Sequence, residues 1–251
     1  MRRFFSLTGI GAFLLIVLAG CSGQPTENGG FFNDYFIHPF IVAIKVIAEL
    51  FNENYGIAII LITLVIRIIL LPFMMKNYKR SREMRGKMEA IKPEMDTIQK
   101  KLKEVKDPEE KRKIQQEMMA LYQTHGVNPL NMGCLPLLLQ MPVLMGFYYA
   151  IRGSEEIATH SFLWLNLGEP DILMAVIAGI LYFVQYRVSL RDMPIAQQGQ
   201  MKLLGLMSPI MIFIFSLNAP AALPLYWTVS GTFLILQMLL SRKLYPVNKD
   251  A

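Results

Sequence analysis

No aspartate or glutamate lies deep in any long apolar run of this 251-residue chain. That excludes an intramembrane protease built on paired carboxylates. Histidine is scarce too. His38, His125 and His160 fall in separate segments and cannot share a catalytic centre. There are two cysteines with no accompanying Cys/His cluster, so neither a disulfide framework nor a metal site is expected. His-Glu-x-x-His, Gly-x-Ser-x-Gly and P-loop patterns are absent, and no internal repeat is found. No enzyme chemistry, cofactor or direct nucleic-acid contact is therefore expected.

What remains is apolar. Hydrophobic residues make up 53% of the chain, and several runs are long enough to cross a bilayer as helices. The reading is an all-α polytopic membrane protein. Its five spans are placed at Tyr55–Met75, Met132–Ile151, Ile172–Leu190, Leu203–Leu217 and Ala221–Leu240. Asn218-Ala219-Pro220 makes a tight turn between the last two. Ahead of the spans, Arg2 and Arg3 precede the apolar stretch Phe4–Val17 and Leu18-Ala19-Gly20-Cys21. This is a secretory signal ending in a lipobox. Cleavage would remove residues 1–20 and leave Cys21 as the lipidation site, with the mature N-terminus outside the cell. Cys134 reads as a small buried residue. Residues 21–54 then form an outer segment. Within it Phe40, Ile44, Ile47 and Phe51 recur at helical spacing and predict an interfacial amphipathic helix. Asn52-Glu53-Asn54 ends that pattern.

Between the first two spans, residues 76–131 carry 14 Lys/Arg against 9 Asp/Glu. The loop Arg152–Asp171 has one arginine against Glu155, Glu156, Glu169 and Asp171. Arg187, Arg191 and Lys202 surround the next loop, and the tail 241–251 carries Arg242, Lys243 and Lys249. The positive-inside rule puts 76–131, 191–202 and the tail in the cytoplasm of a bacterial plasma membrane. Five spans from an outside N-terminus end there too. In 76–131, Met84, Met88, Ile91, Met95, Ile98, Leu102 and Val105 form a heptad seam. Asp107-Pro108-Glu109-Glu110 reads as the cap and first turn of a second helix, continued by Ile114, Met118 and Leu121. A short joint predicts a cytoplasmic antiparallel helical hairpin, linked to the membrane core through Met75–Arg80 and Thr124–Pro129, with a kink at Pro93.

The spans hold one charge that needs explaining. Arg67 lies within an apolar run, eight residues before Met75. A charge at the centre of a spanning helix costs roughly 2.5–3.5 kcal/mol on insertion scales and is by default a functional residue. Snorkelling to the headgroups would have to cover about 12 Å. Gln140, Gln185, Ser230, Thr232 and Gln237 lie at comparable depths in the other spans. Each alone could be a plain interhelical hydrogen bond. Together they suggest a polar cavity in the inner half of the membrane, with Arg67 in its wall. The outer halves are almost wholly apolar, so the cavity would be closed on that side. Pro72, Pro136, Pro142, Pro209 and Pro224 would free backbone groups around it.

These residues also form recognisable strings. Asn128-Pro129-Leu130 followed by Gly133-Cys134-Leu135-Pro136-Leu137-Leu138-Leu139-Gln140-Met141-Pro142 resembles the second-span motif of the YidC/Oxa/Alb family of membrane protein insertases. Pro220-Ala221-Ala222-Leu223-Pro224-Leu225-Tyr226-Trp227-Thr228-Val229-Ser230 is similar to its fifth-span motif, and Arg67-Ile68-Ile69-Leu70-Leu71-Pro72 to its first. The match covers about residues 35–245, and the lipobox with a short outer segment resembles the Gram-positive branch. The resemblance implies five helices around a hydrophilic inner-leaflet groove that is open to the cytoplasm and lipid. Arg67 would attract acidic residues of outgoing segments, and Gln140, Gln185, Tyr226 and Trp227 would contact substrate. It implies nascent membrane protein clients, work alone or beside the Sec translocon, and contact with the ribosome. The eleven-residue tail is shorter than that of members that grip the ribosome through a long basic tail. The residues by themselves leave two other readings open, a channel or transporter and a structural assembly scaffold.

Overall fold

The computed structural model describes residues 37–127, 134–193 and 195–247, with the backbone alone for 134–139 and 195–204. The signal segment, Cys21 and the rest of the chain up to residue 36 lie outside the described residues. So do the Asn128–Gly133 portion of the second-span motif and the last four residues of the tail.

Helices dominate. In chain order they are α1 His38–Leu50, α2 Tyr55–Ala90, α3 Lys92–Glu104, α4 Pro108–Thr124, α5 Cys134–Gly153, α6 Glu155–Thr159, α7 Ile172–Leu190, α8 Ile195–Ser216 and α9 Ala222–Leu244. Among the described residues three of these, α2, α7 and α9, are long and apolar enough to cross a membrane, and Gly205–Ser216 within α8 is a shorter apolar helix. One small element is not helical. Ser161–Phe162 (β1) and Leu165–Asn166 (β2) pair antiparallel, with Ser161 opposite Asn166. Leu163 takes a positive φ of 55° at the tip.

The helix ends follow from local chemistry. Asn54 caps α2 by accepting from the Ile57 amide at 3.0 Å, after a turn in which Asn52 and Glu53 both adopt positive φ. Asp171 caps α7 through the Met174 amide at 2.6 Å. Asp107 caps α4 through the Glu110 amide at 3.1 Å, with Pro108 in the first turn. Each such cap is worth about 1 kcal/mol.

Two boundaries differ from the sequence expectation. The α2 helix runs unbroken through Met75–Arg80, where a joint to the hairpin was expected. Residues 76–85 are mostly Lys, Arg, Glu and Met, which propagate a helix well and contain no breaker. The break comes at Ile91 instead, and Pro93 sits in the first turn of α3 rather than kinking a longer helix. Proline fits there because its missing N–H is not needed. Likewise α8 begins at Ile195, ahead of the Leu203 start expected for the fourth span, and carries Pro209 inside it.

The core gathers at the Tyr55 end of α2. Ile59 and Ile62 of α2, Phe147 and Ala150 of α5, Ile157 of α6, Leu165 and Leu167 of the β-turn region, and Leu223 and Tyr226 of α9 form one buried cluster. The α1 helix joins it through Ile44 and Ala48, while Val42, Val46 and Leu50 stay exposed on its other side. Gly146 permits this contact, since a Cβ there would meet the Phe40 ring at 2.6 Å. The α9 helix is central, packing on α2, α7 and α5, and α8 packs on α7. A second, smaller cluster of Met88, Ile91, Met95 and Val127 holds the far end of α2 to α3 and α4.

Candidate functional site

Arg67 lies on the inward stripe of α2 that also carries Ile59, Ile62 and Thr63. Its side chain is 7% exposed. Its Nη2 donates to Gln140 Oε1 of α5 at 2.9 Å and also to Ser230 Oγ of α9. Gln140 Nε2 in turn donates to the Tyr226 hydroxyl at 2.6 Å. The Tyr226 ring is 1% exposed and stacks on Phe147, with centroids 4.4 Å apart. Three helices thus meet through one guanidinium, one amide and two hydroxyls. Among the described residues no carboxylate pairs with Arg67. Its positive charge is hydrogen-bonded but not neutralised.

The two sides of this cluster are unlike. Toward the Tyr55 end lies the packed apolar core. Toward the Met75 end the stripe turns polar. Gln237 is 3% exposed, and its Nε2 has no hydrogen-bond partner among the described residues. Ser241 is buried one turn further along α9. Burial pushes the Tyr78 phenol up to about 12, with the Arg67 charge opposing the shift and Asp192 adding to it, so Tyr78 stays neutral.

The polar file ends in a clamp. Asp192, just past α7, accepts from Arg82 Nη2 of α2 at 2.8 Å. It also accepts from Arg242 Nε of α9 at 2.9 Å and from Arg242 Nη2 at 3.1 Å. Arg242 Nη2 donates to the Val188 carbonyl at 2.5 Å, and Arg85 Nη1 to the Arg191 carbonyl at 2.5 Å. One carboxylate and two carbonyls at the C-terminal end of α7, the Val188 carbonyl shared with the Arg191 amide, therefore bind arginines from α2 and α9. The cations suit the negative end of the α7 dipole. Burial lowers the Arg82 pKa, and Asp192 opposes that shift.

Of the residues the sequence singled out, the structure brings Arg67, Gln140, Tyr226 and Ser230 together. Gln185 is half-buried on α7 and is not among the partners of that cluster. Trp227 is 7% exposed and points elsewhere, lining a crevice between α5 and the α8–α9 turn. Cys21 lies outside the described residues. The clamp was missed. Its signal was a single acid, Asp192, in a loop otherwise flanked by arginines. Among the described residues no His/Cys/Asp/Glu group could hold a metal ion.

The chain is similar in sequence to known proteins. The family model described as 60Kd inner membrane protein matches residues 46–249. A Listeria monocytogenes protein named membrane protein insertase YidC 2 is 53% identical, over 92% of this chain and 84% of its own length. Membrane protein insertase MisCB of Bacillus subtilis is 46% identical, over 94% and 92%. A Staphylococcus haemolyticus protein named membrane protein insertase YidC is 45% identical, over 92% and 82%.

Proposed function

The chain belongs to the 60Kd inner membrane protein family of YidC-type membrane protein insertases, and from that premise we propose how its residues do the work. It is a bacterial membrane protein insertase acting on membrane protein clients in the bilayer. Arg67 is the electrostatic bait of a hydrophilic groove. Five spans, α2, α5, α7, α8 and α9, surround it. The Met75 end of α2 faces the cytoplasm, and the outer end is sealed by the apolar core.

The observation that carries this is the state of Arg67. It is buried, hydrogen-bonded only to neutral groups, and leaves a positive charge free for a visiting carboxylate. A desolvated charge interacts far more strongly than one in water. An acidic residue in the outgoing tail of a client would be drawn to it. Partition of the client's apolar segment into lipid drives the reaction forward, and the groove shortens the apolar distance its polar flank must cross. No covalent step and no cofactor is needed. Gln140 and Tyr226 orient the guanidinium, and Gln185 and Trp227 contact the client elsewhere along its path.

Other features complete the proposal. Cys21 carries a lipid anchor after removal of residues 1–20, so the mature N-terminus is outside and the C-terminus cytoplasmic. The α3–α4 hairpin makes first contact with clients, with the ribosome and, for larger clients, with the Sec translocon. The Asp192 clamp closes the cytoplasmic mouth at rest. The test is site-specific photocrosslinking of a nascent client from positions 67, 140 and 226, together with Arg67→Ala and Arg67→Lys. Clients with acidic outer tails are expected to crosslink at all three positions and to fail in Arg67→Ala while surviving in Arg67→Lys. Normal insertion of such clients by Arg67→Ala at native expression would remove the charge-attraction mechanism.

A further inference from the structure

The tip of the β1–β2 hairpin is built against its own local preferences. Leu163 and Trp164 are the two central residues of the turn, between the paired Phe162 and Leu165. Leu163 takes a positive φ and Trp164 does not. A two-residue turn of that kind ordinarily carries glycine first, where no side chain resists the conformation. Here that place holds a leucine that is 74% exposed, followed by a tryptophan that is 55% exposed. The strain is not offset by burial within the chain. The seven residues 161–167 carry no charge. The mount beneath the tip is firm. Phe162 lies on Gly56, where a Cβ would meet its ring at 2.0 Å, and the His160 ring faces Tyr55 with centroids 4.5 Å apart. Leu165 and Leu167 are buried in the large core. The Ala221 and Ala222 amides donate to the Glu169 carbonyl at 2.8 Å and the Leu167 carbonyl at 3.1 Å. The hairpin is thus fastened to the starts of two apolar helices, α2 and α9. Those starts mark one edge of the hydrocarbon layer, so the tip is held at the membrane boundary.

We propose that Leu163 and Trp164 are a membrane anchor, seated among the headgroups of the outer leaflet, and that they fix the depth of the α2 and α9 ends. The anchoring rests on the level of those helix ends. Only the choice of leaflet rests on the orientation proposed above. Composition selects lipid as the occupant. An indole has an apolar body and one N–H donor, which suits the zone between acyl chains and water. A docking face for a protein outside would carry a polar rim, whereas the tip and both strands are uncharged. Glu156, on the mounting segment, is already taken by Lys45 at 2.8 Å and by the Tyr55 hydroxyl at 3.1 Å. Reach agrees with composition. The two strand steps from Ser161 to Leu163 span about 7 Å, and the headgroup zone on each side of a bilayer is about 5–7 Å thick. Strain at a firmly mounted tip is the mark of a position kept for what it touches.

Trp164 reports on its own surroundings. The chain has two tryptophans, so the difference in emission between the full-length protein and its Trp164→Phe variant isolates Trp164 and leaves Trp227 untouched. Both proteins are reconstituted in phosphatidylcholine vesicles with bromine on the acyl chains. Trp164 emission should be quenched more by bromine near the headgroup end of the chain than by bromine near its methyl end. It should be shielded from iodide in the water. Bromine in both leaflets makes this readout blind to orientation, so a reversed topology would leave it unchanged. Leu163→Glu should shift Trp164 emission to the red, with loss of the bromine quenching and gain of quenching by iodide. Leu163→Gly suits the positive φ and keeps the turn, and should lose only part of the bromine quenching. Emission quenched by iodide and indifferent to bromine in the full-length protein would overturn the proposal, since the tip would then stand in water as a docking face for a protein. Emission indifferent to both would overturn it too, by showing the tip covered by another part of the chain. So would bromine quenching that survives Leu163→Glu unchanged.

Discussion

At the residue scale, the Arg67 cluster works because each donor finds an acceptor while the charge stays unspent. Gln140 is the pivot, since it accepts from Arg67 and donates to Tyr226. Gln140→Leu leaves a buried guanidinium N–H and the Tyr226 oxygen without that partner. The expected loss is about 1.5–3 kcal/mol, the range for hydrogen bonds to charged groups, and Tyr226→Phe should cost about 1 kcal/mol. Thermal unfolding in detergent measures both. Equal effects of the two would mean that Gln140 serves Tyr226 rather than Arg67. A second residue gives a pH signature. Hydrogen bonds from Lys45, then from Tyr55, hold the Glu156 carboxyl below its ordinary range. A depressed carboxylate stabilises above its unfolded pKa, and the contribution fades as pH falls through the folded one. Acid should therefore loosen α1 from the α6 region, and Glu156→Gln should remove the pH dependence. Spin-label distances between α1 and α6 across a titration from neutral to about pH 3, below the reference carboxylate range, measure it. Much of the Arg67 site was legible in the sequence, because a charge in an apolar run is conspicuous. Trp227 stands apart from the Arg67 cluster for a plain reason. It is one residue from Tyr226, and on a helix neighbours point about 100° apart, so a motif places both without saying that they face the same partner.

At the scale of elements, α2 ties the membrane core to the region beyond Met75 as one rod. The sequence suggested a joint there because hydropathy drops sharply at Lys76. Hydropathy marks where the lipid ends, and helix propensity decides where the helix ends. The Asp192 clamp acts at this scale too, since it joins α2, α7 and α9 through side chains far apart in sequence. Such a contact leaves no periodic trace, which is why it was not anticipated. Asp192 is 24% exposed and Arg82 11%, between the exposed pairs worth under about 1 kcal/mol and the buried ones that cost 3–5 kcal/mol to break. Asp192→Asn should cost about 2 kcal/mol. It should also separate Arg82 from Arg242, as read by spin labels at positions 79 and 243. If the clamp closes the mouth of the groove, Asp192→Asn should make a cysteine at position 237 react faster with a water-soluble thiol reagent. Unchanged reactivity would leave the clamp as a brace only.

At the scale of the whole molecule, two cores of unequal size set what can move. The large one joins seven segments of the chain around Phe147 and Tyr226. The small one rests on Met88, Ile91, Met95 and Val127, and beyond it α3 and α4 bury little more than Ile114. A helix pair with so thin a seam opens easily. The sequence reading, drawn from purely local spacing, spread the Met-rich seam evenly from Met84 to Val105. The structure concentrates burial at the root, where α2 lends Met84 and Met88, and leaves Ile98, Leu102 and Val105 only half-covered. Amide exchange should therefore be slow along α2 to about residue 88 and fast across 92–124, with the step at the Ile91 break. Met95→Ala, which removes a buried thioether at the seam, should speed exchange in α3 and α4 without altering α7 or α9. If the hairpin captures clients, a stalled ribosome–client complex should protect 92–124 while the root stays unchanged. Slow exchange across both helices in the resting protein would instead describe a rigid arm, one extended by α2 and suited to holding a partner at fixed distance from the membrane.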